Sequence, residues 1–343
     1  KSGMIDMGYS IDWRREFTTI DPTYSRFVEW QFHQLKLRKK ITQGSHPVGW
    51  CPNDGNPVGQ HDTLGDVEPE IGQYTLIKFE YGNYIIPTAT LRPETVFGTT
   101  NIWLNPNVEH VCVQVEEEKW ILTKDAFKNL RHTKVMKEYK VLSGRELIGK
   151  FVLNPVTGSQ IPIFPASFVD PKNGTGIVMS VPAHAPYDLQ ALIDMKEKTD
   201  ELESWGISQE VINSARPISV IKSDGYGEIP AQEAIERIGI KNQSDSKLEE
   251  ITSELYAHEF HKGKMMDNTG DYKFLSVNEA RQSIREDLLE KGLADSTYEI
   301  MNKPVFCRCG AECVVRSFQN QWFINYGDDK WKETTRKLLS EMS

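Results

Sequence analysis

The sequence predicts an α+β fold: a small closed β-barrel with helical elaborations, and a separate module built around cysteines. Three observations predict it. Short apolar runs with strand character follow one another between residues 74 and 181, broken by turn residues. Helical periodicity precedes and follows that block. Cys307, Cys309 and Cys313 form a tight cluster near one end, with Cys51 far away near the other.

Composition bounds the answer. The chain has 343 residues, 38% hydrophobic and 26% charged, enough for two or three cored domains of a soluble protein. No apolar run approaches the roughly 18–20 residues of a membrane span, so no membrane is expected. The N-terminus lacks an apolar signal core, so a cytoplasmic location is expected. A net charge of −9 argues against a generic polyanion binder. Nucleic-acid contact would then rest on local basic patches at Arg14-Arg15, 36–40 and 134–140, each of which also reads as a solvated helix face. An odd number of cysteines without a secretion signal favours reduced thiols.

The elements follow in order. Residues 10–45 read as helical, with Tyr24, Phe27, Val28, Trp30, Phe32 and Leu35 in one broad apolar stripe. Residues 46–68 are rich in Gly, Pro, Asn and Asp and read as loop or knuckle. Tyr74–Tyr81 and Tyr84–Thr90 flank Gly82-Asn83, a hairpin signal. Val111–Glu116 alternates, and Lys119–Thr123 follows as its partner. Further short strands are expected at 150–154, 161–169 and 175–181. Beyond Asp188 the period turns helical, with Leu189, Leu192, Ile193 and Met195 on one face. Residues 196–262 are charged and helix-rich. Residues 276–292 read as a helix with Ser276 as N-cap, Glu279 three residues on and Gly292 at the end.

Two stretches carry the chemistry. Residues 88–101 place Thr88, Thr90, Thr95, Thr99 and Thr100 around Arg92-Pro93-Glu94. Thr is a good strand residue, so a polar sheet edge is the plain alternative. Pro93 ends ladder bonding, however, so the chain must leave the sheet there and form a lip. Residues 173–188 end a glycine-bounded apolar run in Pro182, His184 and Asp188. Asp188 reads either as a favourable charge at a helix start or as a partner for an ammonium group. His184 reads as a base or as part of a turn. No Ser-His-Asp or Cys-His arrangement is readable, and Gly174-Thr-Gly176 is too slight for a phosphate loop.

Taken together, TLRPET at 90–95, GTTN at 98–101 and GTGIVMSVPAHAPYD at 174–188 resemble the editing domain of leucyl-tRNA synthetases. SIDWRREFTT at 10–19, WCPNDGNPVGQHD at 50–62 and QWFINY at 321–326 extend the resemblance to the archaeal and eukaryotic form over nearly the whole chain. Valyl and isoleucyl enzymes carry related domains, usually with two Thr before the Arg or Pro, where Leu91 stands here. Neither signature of a synthetic site, HIGH-type or KMSKS-type, is found. With Lys at position 1, this leads to the expectation of an insertion excised from a longer synthetase.

The resemblance implies a division into a helical flank (1–46), a zinc-ribbon-like stem (47–68 and 300–326), the editing domain (69–299) and a C-terminal helical flank (327–343). It implies that Asp188 holds the α-ammonium of an aminoacyl group and that Thr95 is the stop that keeps leucine out. Thr90 and Arg92 would position the ester, the terminal adenosine or the attacking water. Thr88, Leu91, Glu94, His184 and Tyr187 would complete the substrate site. The implied reaction is hydrolysis of the ester of mischarged tRNA(Leu), such as the norvalyl, isoleucyl or methionyl ester. The implied partners are the tRNA(Leu) 3′ end, noncognate amino acids as tRNA esters, and the rest of the synthetase. A valyl-type editing domain and a non-catalytic tRNA-docking module are the alternatives. The cysteines resemble a split zinc ribbon, which implies structural zinc on Cys51, Cys307, Cys309 and Cys313. Asp54 stands where the usual first knuckle has its second Cys, and Asp54 and His61 rank behind Cys313 as fourth ligand. Metal-free thiols are the alternative, and the editing chemistry itself needs no cofactor.

Overall fold

Strand propensity and period-two burial build the centre of the molecule. The computed structural model describes residues 1–342, with only the backbone described at 199–201. Ten strands form one mixed sheet: β1 (Ile71–Tyr81), β2 (Tyr84–Thr90), β3 (Asn101–Leu104), β4 (Glu109–Val115), β5 (Glu118–Thr123), β6 (Lys137–Ser143), β7 (Phe151–Leu153), β8 (Gln160–Pro165), β9 (Ile177–Ser180) and β10 (Ala294–Ile300). Their order is β9-β3-β8-β7-β1-β2-β5-β4-β6, with β10 as a branch on β1. The Gly82-Asn83 hairpin forms as expected, with Tyr81 opposite Tyr84. So does the β4–β5 pair, with Val115 opposite Glu118.

Side chains alternate between two buried faces. Val111, Val113, Trp120 and Leu122 pack on one side with Ala126 and Leu130 of the short helix Lys124–Leu130. Cys112, Ile121, Ile77, Phe79 and Ile86 pack on the other, in the larger core.

The expected closed barrel is corrected by this pairing. Among the described residues the ladder path ends at β9 and β6 without joining them. The reason is twofold. Strand β1 forks: its first half pairs with β10, and β7 meets it only at Glu80. Strand β6 is largely exposed and polar, as suits a free edge.

Four helices complete the frame: α1 (Pro186–Lys196), α2 (Pro230–Ile238), α3 (Leu248–Lys262) and α4 (Val277–Glu290). Helix α4 has the expected capping box, with the Glu279 amide donating to Ser276 Oγ at 3.3 Å and the Ser276 amide to Glu279 Oε2 at 3.2 Å. On α1, Leu189, Leu192 and Met195 are buried, three residues apart, while the expected fourth member, Ile193, is exposed.

The chain divides into two compact units, Pro47–Ser317 and a second made of Lys1–His46 with Phe318–Ser343. In the second, the expected helix over 10–45 is shorter. It spans Pro22–Leu37, and residues 41–45 belong to the strand Ile41–Cys51 instead, which continues into the first unit's residues. Its apolar stripe is not buried: Tyr24, Phe27, Val28 and Trp30 are exposed. Phe32 meets the Trp322 ring edge-on at 5.6 Å, and Lys40 pairs with Asp328 at 2.6 Å. Among the described residues no helix is long and apolar enough to cross a membrane.

Candidate active site

The two motif stretches meet because two glycines let them. Gly174 and Gly176 have positive φ, and a Cβ on either would lie 2.3 Å from Ala89 or Thr123. Only glycine permits both the backbone conformation and the approach. The loop thus lies against the end of β2, next to the Thr-rich lip. Pro93 does end the ladder: residues 93–98 coil into a short 3₁₀ turn whose Thr95 hydroxyl donates to Arg92 O at 2.8 Å.

A cavity of about 430 Å³ opens between these stretches. Thr90, Leu91, Arg92, Thr95, Tyr187 and Asp188 line it, as the sequence suggested. Thr88, Glu94 and His184 do not. Thr88 is fully buried on β2, and its hydroxyl has no partner. Glu94 and His184 belong to an ionic network behind the wall.

Asp188 sits in the first turn of α1 but is held from outside that helix. Its Oδ2 accepts from the Val181 amide at 2.8 Å, and its Oδ1 from Trp103 Nε1 at 3.1 Å. Both donors are neutral. Burial pushes its pKa up to about 6, against these two hydrogen bonds and the more distant Arg92 charge. The carboxylate therefore lacks a cation of its own while facing the cavity.

The network behind the wall has the opposite character. Arg92 donates from Nη2 to Glu259 Oε2 at 2.5 Å, from Nη1 to the His184 carbonyl at 3.2 Å and from Nε to Glu94 Oε1 at 3.4 Å. Its guanidinium lies 4.1 Å from the ring centre of Tyr256. Burial works against the Arg92 charge, but Glu259 and Glu94 outweigh it and raise its pKa. Glu94 is fully buried and takes a two-pronged bond from Arg281 of α4, at 2.9 and 3.1 Å. His184 Nε2 accepts from the amides of Val220 and Ile221 at 2.8 and 3.2 Å. Nδ1 must then carry the proton, which it donates to Glu259 Oε1 at 2.6 Å. His184 is thus a neutral structural group committed at both nitrogens, not a free base. Burial opposes the charge on Glu259, yet His184 and Arg92 hold its carboxyl below the usual range.

Sequence reasoning missed several wall and support residues. Trp103 holds Asp188, and Tyr256 and Glu259 of α3 support Arg92. Tyr74 and Asn173 line the cavity, bonded to each other at 3.4 Å. Phe168 packs edge-on against Tyr187 at 5.3 Å.

Residues 71–203 match a family model described as the leucyl-tRNA synthetase editing domain. The chain is 48% identical, over its whole length, to the leucine–tRNA ligase of Pyrobaculum calidifontis and to that of Methanothermobacter thermautotrophicus. Residues 71–203 belong to the leucyl-tRNA synthetase editing-domain family. The chain spans 37% and 36% of the length of those two ligases. The crystal structure of GlLeuRS-CP1 is similar, with a TM-score of 0.59, 25% identity, and 66% of this chain and 98% of that one covered. The editing domain of the P. knowlesi cytosolic leucyl-tRNA synthetase shares the fold, with a TM-score of 0.62 and 17% identity over 68% of this chain and 98% of that one.

Outside this pocket, a second cluster has the makings of a metal centre. One ligand atom from each of Cys51, Asp54, Cys307 and Cys309 lies within 4.8 Å of the others. Cys51 Sγ and Cys309 Sγ are 3.5 Å apart, and Cys307 Sγ is 3.3 Å from Asp54 Oδ2. The Asp54 amide donates to Cys51 Sγ at 3.3 Å, so Cys-x-x-Asp forms the turn of a ligand knuckle. Cys313 was the expected fourth member, and the structure groups Asp54 there instead. The 307–313 segment folds back on itself, with the Cys307 amide bonded to Ala311 O and the Cys313 amide to Val305 O. Cys313 is buried in the same small core as Cys51, Cys307, Val305 and Val315, but its sulfur is not among the ligand atoms that lie within 4.8 Å of one another. Three soft sulfurs and one carboxylate within tetrahedral reach can hold a metal ion.

Proposed function

We propose that this chain performs post-transfer editing: it hydrolyses the ester linking a noncognate amino acid to tRNA(Leu). The observation that carries the reading is Asp188. It is a carboxylate at a cavity wall, bonded only to neutral N–H groups. The α-ammonium of an aminoacyl ester is the cation it lacks, and such a charge-assisted bond is worth roughly 1.5–3 kcal/mol.

The rest of the pocket fits the same reaction. An aminoacyl ester is already activated, so its hydrolysis needs a positioned water and stabilised charge rather than a covalent nucleophile. Arg92 supplies a fixed positive charge at the wall, and Thr90 and Arg92 position the ester, the terminal adenosine or the water. Thr95 is tied down by its hydroxyl, so its γ-methyl is a rigid stop. That rigidity gives the site its logic. One methylene is worth only about 1–3 kcal/mol in a synthetic site, so a second pocket that excludes leucine by shape adds discrimination that binding alone lacks.

By donor chemistry, Cys51, Asp54, Cys307 and Cys309 would hold zinc in a structural role. A bound ion would tie residues 51–54 to 307–309, and the hydrolysis proposed here needs no metal. The partners of this reading are the tRNA(Leu) 3′ end and the remainder of the synthetase.

The test is deacylation of isoleucyl-, methionyl- and norvalyl-tRNA(Leu) by the chain, beside the Asp188→Ala variant. Hydrolysis by the wild type, lost in the variant, is expected. Binding of tRNA without hydrolysis would mark a docking module instead. Preference for mischarged tRNA(Val) would mark a valyl-type domain.

A further inference from the structure

Helix α3 lies outside the matched stretch 71–203, yet two of its residues reach the pocket wall. Tyr256 lines the cavity, and its ring forms the platform under the Arg92 guanidinium. One turn later, Glu259 is fully buried and receives the Arg92 Nη2 hydrogen bond. Glu259 is itself oriented. The amides of Val220 and Ile221 fix His184 Nε2, and the His184 Nδ1–H fixes Glu259 Oε1. The second oxygen, Oε2, is left to face Arg92. The order of control thus runs from backbone amides to His184, to Glu259, to Arg92.

We propose that Glu259 is a positioning residue of the editing site, acting through Arg92, with Tyr256 as the platform that limits where the guanidinium can sit. The inference rests on the editing function proposed above. An arginine aimed by one carboxylate, one carbonyl and one aromatic face has little freedom to follow a misplaced substrate. Its contribution in the transition state then depends on that aim. The other acid nearby, Glu94, cannot substitute. It meets only the Nε of Arg92, at 3.4 Å, and its main bonds go to Arg281. Helix α3 is therefore part of the editing site.

The test compares Glu259→Gln, Arg92→Gln and the double variant, in deacylation of isoleucyl-tRNA(Leu). Glu259→Gln should lower kcat about tenfold or more with KM changed less than about threefold, the pattern of an interaction made in the transition state. If Glu259 acts through Arg92, the double variant should be no slower than Arg92→Gln alone. Losses that multiply in the double variant would overturn the proposal, as would wild-type kcat in Glu259→Gln. Glu259→Gln leaves a buried guanidinium short of a partner and could unfold. The double variant removes both charges, so comparing it with Arg92→Gln still decides. Tyr256→Leu adds an independent arm, with a loss in kcat expected and unchanged kcat counting against the platform role. Asp188→Ala separates the two claims. If that variant stays active, the editing reading fails. If it is inactive while Glu259→Gln is normal, only the present inference fails.

Discussion

Asp188 and Glu259 are two carboxylates on opposite sides of one pocket wall, and they are treated in opposite ways. Glu259 meets a guanidinium and an imidazole N–H and is held below the usual carboxyl range. Asp188 meets an indole and a backbone amide, and burial pushes it up to about 6. Burial alone raises the pKa of both, so the difference lies in whether a cation is built in. A carboxylate whose cation is supplied by the protein is structural. One whose cation is missing is ready to bind a substrate that brings it.

The most direct way to break this comparison is to remove Asp188. Asp188→Ala should cut deacylation by at least about tenfold to a hundredfold while circular dichroism shows the same fold. Wild-type rates on isoleucyl-tRNA(Leu) would sink the assignment. Thr95 comes next, because it decides which substrate brings the cation. Thr95→Ala should let the chain deacylate correct Leu-tRNA(Leu), and Thr95→Tyr should block every aminoacyl ester. If Thr95 is merely packing, Thr95→Ala would instead cost about 1 kcal/mol of stability and leave specificity alone.

The raised pKa of Asp188 sharpens the contrast through pH. Its pKa in the fold, about 6, lies above the unfolded value of 3.8. The folded state therefore binds the proton more tightly. The stability this contributes is full below the unfolded value and is lost as pH rises through about 6. Asp188→Asn should accordingly raise thermal stability at pH 7, by up to about 3 kcal/mol, and do nothing at pH 3. Catalysis should run the other way, with kcat/KM falling as pH drops below about 6, since the protonated acid cannot hold an ammonium. A flat profile between pH 5 and 8 would count against the ionised role.

Asp54 is a third carboxylate, and it meets thiols rather than an arginine. Elemental analysis should find about one zinc per chain. Asp54→Ala should weaken zinc affinity by about tenfold to a hundredfold, within the range set by changes around metal ligands. Cys313→Ser should leave the metal content unchanged. The reverse result would restore Cys313 as the ligand.

Legibility in the sequence followed local signals. The hairpin at Gly82-Asn83 and the capped helix α4 rest on neighbours in the chain and were readable, whereas the meeting of residues 90–95 with 174–188 was readable only from the residue content of the two motifs and the family resemblance they carry. Barrel closure was not, because the fork of β1 between β10 and β7 joins segments far apart. The pocket wall was readable where Pro93 forces a lip. Its support was not, since Tyr256 and Glu259 sit in a stretch that reads as a solvated helix. One signal was available. Leu248, Ile251 and Leu255 form the buried stripe of α3, and Glu259 is its next member. A glutamate on an apolar stripe is seldom fully buried without a partner, so an arginine should have been sought. Asp54 was underrated for the opposite reason. Its residue type is less suited to zinc than Cys313, but its Cys-x-x-Asp spacing is that of a knuckle.

The ion network also has a consequence for how the protein is made. Arg92 finds Glu259 across 167 residues, and Glu94 finds Arg281 across 187. Translation proceeds at about 5–20 residues per second, so those acids and bases wait on the order of ten seconds for their partners. A nascent chain ending at residue 203 holds every signature motif of the pocket and none of the helix that aims Arg92. On the proposed reading, alignment of the pocket therefore arrives late, after strands β1–β9 have been made, and a ribosome-bound intermediate carries a pocket that is recognisable but not yet aligned.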